Sequence, residues 1–117
     1  TGRVRASAHN LVETTNDPCA HAELIAIRAA AAAMGTKRLD GCHLYVTLEP
    51  CAMCAAAISL AHLDRLYYGA SDPKGGGVEH GARIFAQSTC HHRPEIYGGI
   101  DEDRAAALLR KFFRARR

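Results

Sequence analysis

Two short strings, His21-Ala22-Glu23 and Pro50-Cys51-Ala52-Met53-Cys54, constrain this chain more than anything else in it. One imidazole and two thiols in this pattern supply three donors for a zinc ion, so the fold must bring two distant segments together. Three protein ligands leave one tetrahedral position open to water, as catalytic zinc requires and structural zinc does not. Glu23 stands beside the metal position but outside the ligand count. A closed structural site would take a fourth ligand from Cys19, Cys42 or Cys90 at an unusual spacing, and Glu23 would have no part in it. A redox pair of Cys51 and Cys54 would leave both His21 and Glu23 without a role.

Around these strings, strands and helices alternate. Residues 3–9 read as a strand and 13–18 as a polar loop. A helix is predicted from His21 to Met34, with Gly35 ending it as a left-handed cap. Leu24, Ile25 and Ile27, beside Arg28, give it a mostly apolar surface suited to packing on a sheet. His43 to Leu48 reads as a buried strand. Pro50 suits the first turn of a second helix running to about His62, where its missing N–H is no loss. Residues 65–69 read as a strand, 71–77 as a flexible loop, 79–86 as a short helix and 95–97 as a short strand. A last helix is predicted from Asp101, its acids at the start and its bases at the end matching the helix dipole. Leu108, Leu109, Phe112 and Phe113 form its buried stripe.

The order β-α-β-α-β with right-handed crossovers gives an α/β fold with a largely parallel sheet flanked by helices. Both helix starts then fall outside the carboxyl ends of the strands, where ligands bind in such sheets. His21 opens one helix and Cys51 the other, so the order of elements predicts the same convergence as the metal motif. At a helix start, free backbone N–H groups and a bound ion both favour thiolates, and water on such an ion ionises near neutrality.

A chain of 117 residues is long enough for one core and is expected to be a single domain. No apolar run approaches the length that spans a bilayer, and no signal peptide precedes the first motif. The 5 cysteines, an odd number without secretory context, point to a reducing cytoplasm and metal-bound thiolates rather than disulfides. The formal charge of +3 is uneven: residues 110–117 carry several bases and no acid. Such a tail can meet phosphates, or lie as a solvated helix face.

Asn10, at the end of the first expected strand, can pair with a base edge or satisfy nearby backbone. His9, His43 and His62 read as structural or surface residues, and Cys42 as a packed small side chain. Cys90-His91-His92 reads as a polar loop, because no further metal ligand is suitably spaced.

Beyond the metal strings, several segments resemble bacterial tRNA adenosine deaminases of the cytidine deaminase-like superfamily. They are Asp17-Pro18-x-Ala20-His21-Ala22-Glu23, Leu44-Tyr45-Val46-Thr47-Leu48-Glu49-Pro50-Cys51-Ala52-Met53-Cys54, Gly69-Ala70-x-Asp72-Pro73-Lys74-Gly75-Gly76, His92-Arg93 and the terminal Leu108-Leu109-x-x-Phe112-Phe113-Arg114-x-Arg116-Arg117. The resemblance implies a three-layer α/β/α sandwich with a mixed, mostly parallel sheet, assembled as a homodimer. It implies one zinc ion per chain on His21, Cys51 and Cys54, and Glu23 as the proton shuttle. It further implies that Asn10 and Ala22 contact the base, and that the wobble adenosine of a tRNA anticodon becomes inosine with release of ammonia. Lys74, Arg93, Arg114, Arg116 and Arg117 are then the expected phosphate contacts.

The chain departs from the family pattern in four places. The family's first helix and strand have no counterpart, so the N-terminal part reads as incomplete. Cys19 stands where Thr is usual, Val78-Glu79-His80-Gly81 replaces a Gly-Ser-Leu stretch, and His91 takes the place of Asn. Two other functions remain open: a deaminase of a free base or nucleoside (guanine, adenine or cytosine), and a zinc-stabilised binding module without catalysis. Glu23 argues against the second.

Overall fold

The computed structural model describes residues 6–8 and 10–100. The last expected helix, with Arg114, Arg116 and Arg117, lies outside them. So does most of the expected strand over 3–9, whose residues 6–8 form no strand.

The expected loop over 13–18 instead opens with one helical turn, α1 (Val12–Thr15), ended by Asn16 in the left-handed region. The Asn10 side-chain Oδ1 accepts the Val12 N–H at 2.9 Å and organises this turn. The alanine-rich α2 (Ala22–Met34) follows from its composition of strong helix formers. Gly35 ends it at φ 66°, donating its N–H to the Ala31 and Ala32 carbonyls.

The sheet contains β1 (His43–Leu48), β2 (Arg65–Ala70) and β3 (Glu95–Tyr97), all parallel, in the order β1-β2-β3. Register pairs His43 with Arg65, and Arg65 in turn with Glu95. Parallel neighbours need a crossover, and α3 (Ala52–Leu60) provides it between β1 and β2. Its Ala55 and Ile58 join Leu66 and Tyr68 of the sheet in one buried cluster. Ile58 and Leu66 are fully buried between them, at roughly 1.5–3 kcal/mol of hydrophobic stabilisation each. Leu39, Ala55, Leu63, Tyr68, Val78 and Phe85 complete this core.

Four expectations need correction. β1 is partly buried on one face, at Leu44, Val46 and Leu48, and exposed on the other, at His43, Tyr45 and Thr47. On that face Tyr67 stacks between Tyr45 and Tyr97, with ring centroids 4.6 and 5.0 Å away, an aromatic ladder across three strands. Pro50 precedes α3 instead of opening it, and Cys51 is the N-cap. The loop expected to be flexible is buried at Gly76 and Gly77. The helix expected over 79–86 shrinks to a 3-10 turn, Ile84–Ala86. Left-handed backbone at Gly81 (φ 56°) and Arg83 (φ 45°) breaks it. Among the described residues no helix is long and apolar enough to cross a membrane.

Candidate metal centre and active site

His21 is the N-cap of α2 and Cys51 the N-cap of α3, both with extended backbone. Cys54 lies one turn into α3, on the same side as Cys51 by helical spacing. The three donor atoms fall within 4.8 Å of one another. His21 Nδ1 is 3.7 Å from Cys51 Sγ and 3.5 Å from Cys54 Sγ. A tetrahedral zinc with bonds of about 2.05 Å to nitrogen and 2.3 Å to sulfur sets N and S about 3.6 Å apart. The two histidine–sulfur distances therefore already match those the ion requires.

The electrostatics point the same way. Burial first, then the Glu23 carboxylate and the Cys51 sulfur, push the Cys54 thiol far above its ordinary range. The lowering expected at a helix start is outweighed there, because two sulfurs and a carboxylate crowd a site with little water. A dication reverses that balance, since a coordinating thiol is deprotonated outright. Glu23, the second residue of α2, is partly buried and near enough to act on the Cys54 thiol.

Glu49 is the residue whose importance the sequence did not reveal. Its side chain is fully buried at the end of β1. One carboxylate oxygen, Oε1, accepts the Asp72 N–H at 3.0 Å and pairs with His80 Nδ1 at 2.8 Å. The other, Oε2, accepts the N–H groups of Val78, Glu79 and His80 at 3.1, 2.9 and 3.1 Å. Burial alone would raise its pKa, but the Asp72 N–H, the His80 ring and the His80 and Val78 N–H groups together lower it to about 2. This carboxylate ties the 72–80 loop to the strand that leads into Cys51. The same loop presses on the start of α3: a Cβ on Gly77 would lie 2.6 Å from Ala52 Cα and 2.8 Å from the Cys51 carbonyl carbon. The available signal was a charged residue at the end of an apolar strand, followed in sequence by a glycine run able to approach it closely.

The remaining expected residues are placed unevenly. Asn10 is exposed, its Oδ1 held by Val12, and Ala22 begins α2 partly buried. Lys74 is exposed at the tip of the clamped loop. The Nε and Nη2 of Arg93 donate to the Phe85 and Gln87 carbonyls at 2.8 and 2.7 Å. Its guanidinium braces backbone.

Residues 1–70 match the cytidine and deoxycytidylate deaminase zinc-binding region. A tRNA-specific adenosine deaminase of Agrobacterium fabrum is 58% identical over 116 residues, spanning 99% of this chain and 76% of that relative. The chain belongs to this family of zinc-binding deaminases. A solved structure from work on A-to-I editing by tRNA:A34 deaminases superposes with a TM-score of 0.89 at 57% identity, covering 92% of this chain and 78% of the other. A guanine deaminase from Nitrosomonas europaea shares the fold at 23% identity, with a TM-score of 0.73 over 90% of this chain and 63% of its own. The expected cytidine deaminase-like α/β fold is therefore the one observed, and zinc is the metal this family's site uses.

Proposed function

We propose that this chain is a zinc-dependent hydrolytic deaminase that converts the wobble adenosine of a tRNA anticodon to inosine and releases ammonia. The observation that carries the chemistry is the meeting of His21, Cys51 and Cys54 beside the Glu23 carboxylate. The substrate class is supported by the 58% identity to a tRNA-specific adenosine deaminase.

His21 Nδ1 and the two cysteine sulfurs would hold the ion, which would supply the Lewis acidity that activates water near neutral pH. Glu23 takes a proton from the attacking water and delivers it to a ring nitrogen of the base. The same carboxylate then carries a second proton to the departing amino group, so adenosine and water give inosine and ammonia. With its Oδ1 engaged by Val12, Asn10 offers its amide N–H groups to an acceptor on the base edge. Ala22, in the first turn of α2, lies against the base. Lys74 and the basic tail at Arg114, Arg116 and Arg117 meet phosphates around a splayed-out loop nucleotide.

The enzyme works in the cytoplasm as a homodimer. The Leu60 side chain on α3, 66% exposed, supports self-association. The test is incubation of the zinc-loaded protein with an anticodon stem-loop RNA and, separately, with adenine, guanine and cytosine. Inosine in the RNA is the expected product. Ammonia from a free base with the RNA unchanged would assign the chain to free-base deamination instead.

A further inference from the structure

Away from the zinc donors, three imidazoles gather where α3 ends. His62 follows the helix at φ 57°, a conformation His adopts more readily than most residues. Its Nε2 lies 2.9 Å from His91 Nε2, with ring centroids 4.8 Å apart and the planes nearly perpendicular. His92 also stacks on His62, at 4.8 Å. Backbone and Ser59 hold His92 in place: its Nε2 meets the Leu63 carbonyl at 2.9 Å and its N–H the Ser59 hydroxyl at 2.8 Å.

Among the described residues no carboxylate hydrogen-bonds to the three rings. Desolvation first, then Arg38, His91 and His92, lower the pKa of His62, so its neutral form carries a lone pair at neutral pH. Two nitrogens 2.9 Å apart share one proton at most. They also match the edge of a metal coordination sphere. Bonds of about 2.05 Å set two nitrogens about 2.9 Å apart at a right angle, and about 3.3 Å apart at the tetrahedral angle. Right-angled sites with nitrogen ligands are those of Cu2+ and Ni2+.

We propose that His62 and His91 form a second, two-imidazole seat for a borderline divalent transition ion, separate from the zinc centre, with water completing the coordination. The nitrogen separation is that of a right-angled Ni2+ or Cu2+ site, and tetrahedral Zn2+ needs a wider one. Binding needs each ring to carry its remaining proton on Nδ1. Among the described residues neither Nδ1 is otherwise engaged, so that tautomer is open to both rings. Residue spacing in the 90–92 segment hides this site, because the second ligand comes from the end of a helix 29 positions earlier. An ion here links that helix end to the segment carrying His91.

The experiment is calorimetric titration of tag-free, zinc-loaded protein with Ni2+, with elemental analysis showing that zinc stays bound. The expected result is one Ni2+ per chain, its affinity falling at least tenfold in His62→Asn and in His91→Asn and unchanged in His43→Asn. Asparagine tolerates the left-handed backbone at residue 62. The His91→Asn arm also stands alone if the first variant folds poorly. Absence of Ni2+ binding in the parent protein, or equal binding in both variants, would overturn the proposal and leave the contact as a hydrogen bond between two neutral rings.

Discussion

Glu49→Gln isolates what the buried carboxylate does, because it preserves shape and removes only charge and one acceptor. Five hydrogen bonds converge on the two oxygens of Glu49. An amide has a single oxygen. Placed at the Oε2 position it keeps the three bonds from Val78, Glu79 and His80. Its NH2 group then faces the His80 Nδ1, which accepts after a tautomer change, and the Asp72 N–H, which cannot. One backbone N–H is left unsatisfied in the interior, at about 1–3 kcal/mol, and the bonds that remain lose their charge assistance. The combined loss is about 3 kcal/mol, and at roughly 4 °C per kcal/mol for a domain of this size the melting temperature falls by about 12 °C. Because the 72–80 loop abuts the Cys51–Ala52 peptide, zinc should also leave faster. Scanning calorimetry of zinc-loaded protein, with zinc content measured in parallel, tests both effects. His80→Ala, which removes a single side-chain bond, serves as the milder reference, at about 1–1.5 kcal/mol. If Glu49→Gln melts within a few degrees of the parent and keeps its zinc equally long, the clamp is not what holds the loop.

Three further perturbations separate the parts of the site. Glu23→Gln should lower kcat by about 10²–10⁴-fold, the usual worth of a general acid–base group, with zinc content unchanged; metal loss in this variant would make Glu23 a structural residue. Gly77→Ala places a methyl group against the backbone at Cys51 and Ala52, and should cost about 1–3 kcal/mol and weaken zinc retention. Gly75→Ala should be tolerated, since its added carbon meets only the end of the Asp72 side chain, at 3.1 Å; equal effects of the two substitutions in thermal melts would refute the close packing at Gly77. Replacing Arg114, Arg116 and Arg117 with Gln should flatten the salt dependence of RNA binding by about 2 in log–log slope if all three meet phosphates. An unchanged slope returns the tail to a solvated helix face.

What the sequence shows and what it hides follow from the range of the interactions. The metal donors were legible because capping positions and helical spacing are local, and strand–helix order alone brings two helix starts to one edge. The end of α2 at Gly35 was legible for the same reason: a left-handed cap announces itself in one residue. Glu49 was not, because its partners lie 23 to 31 positions later and consist mostly of backbone N–H groups that carry no residue identity. The helix expected over 79–86 fails for a local reason, the left-handed backbone at Gly81 and Arg83. His62 and His91 repeat the Glu49 pattern with side chains: each alone reads as a surface histidine, and only the turn after α3 brings their nitrogens together. A charged or lone-pair group at the end of an element, with no local partner in sequence, is therefore the signal that a distant loop must fold back to meet it, and in this chain both such groups lie next to the elements that carry the zinc donors.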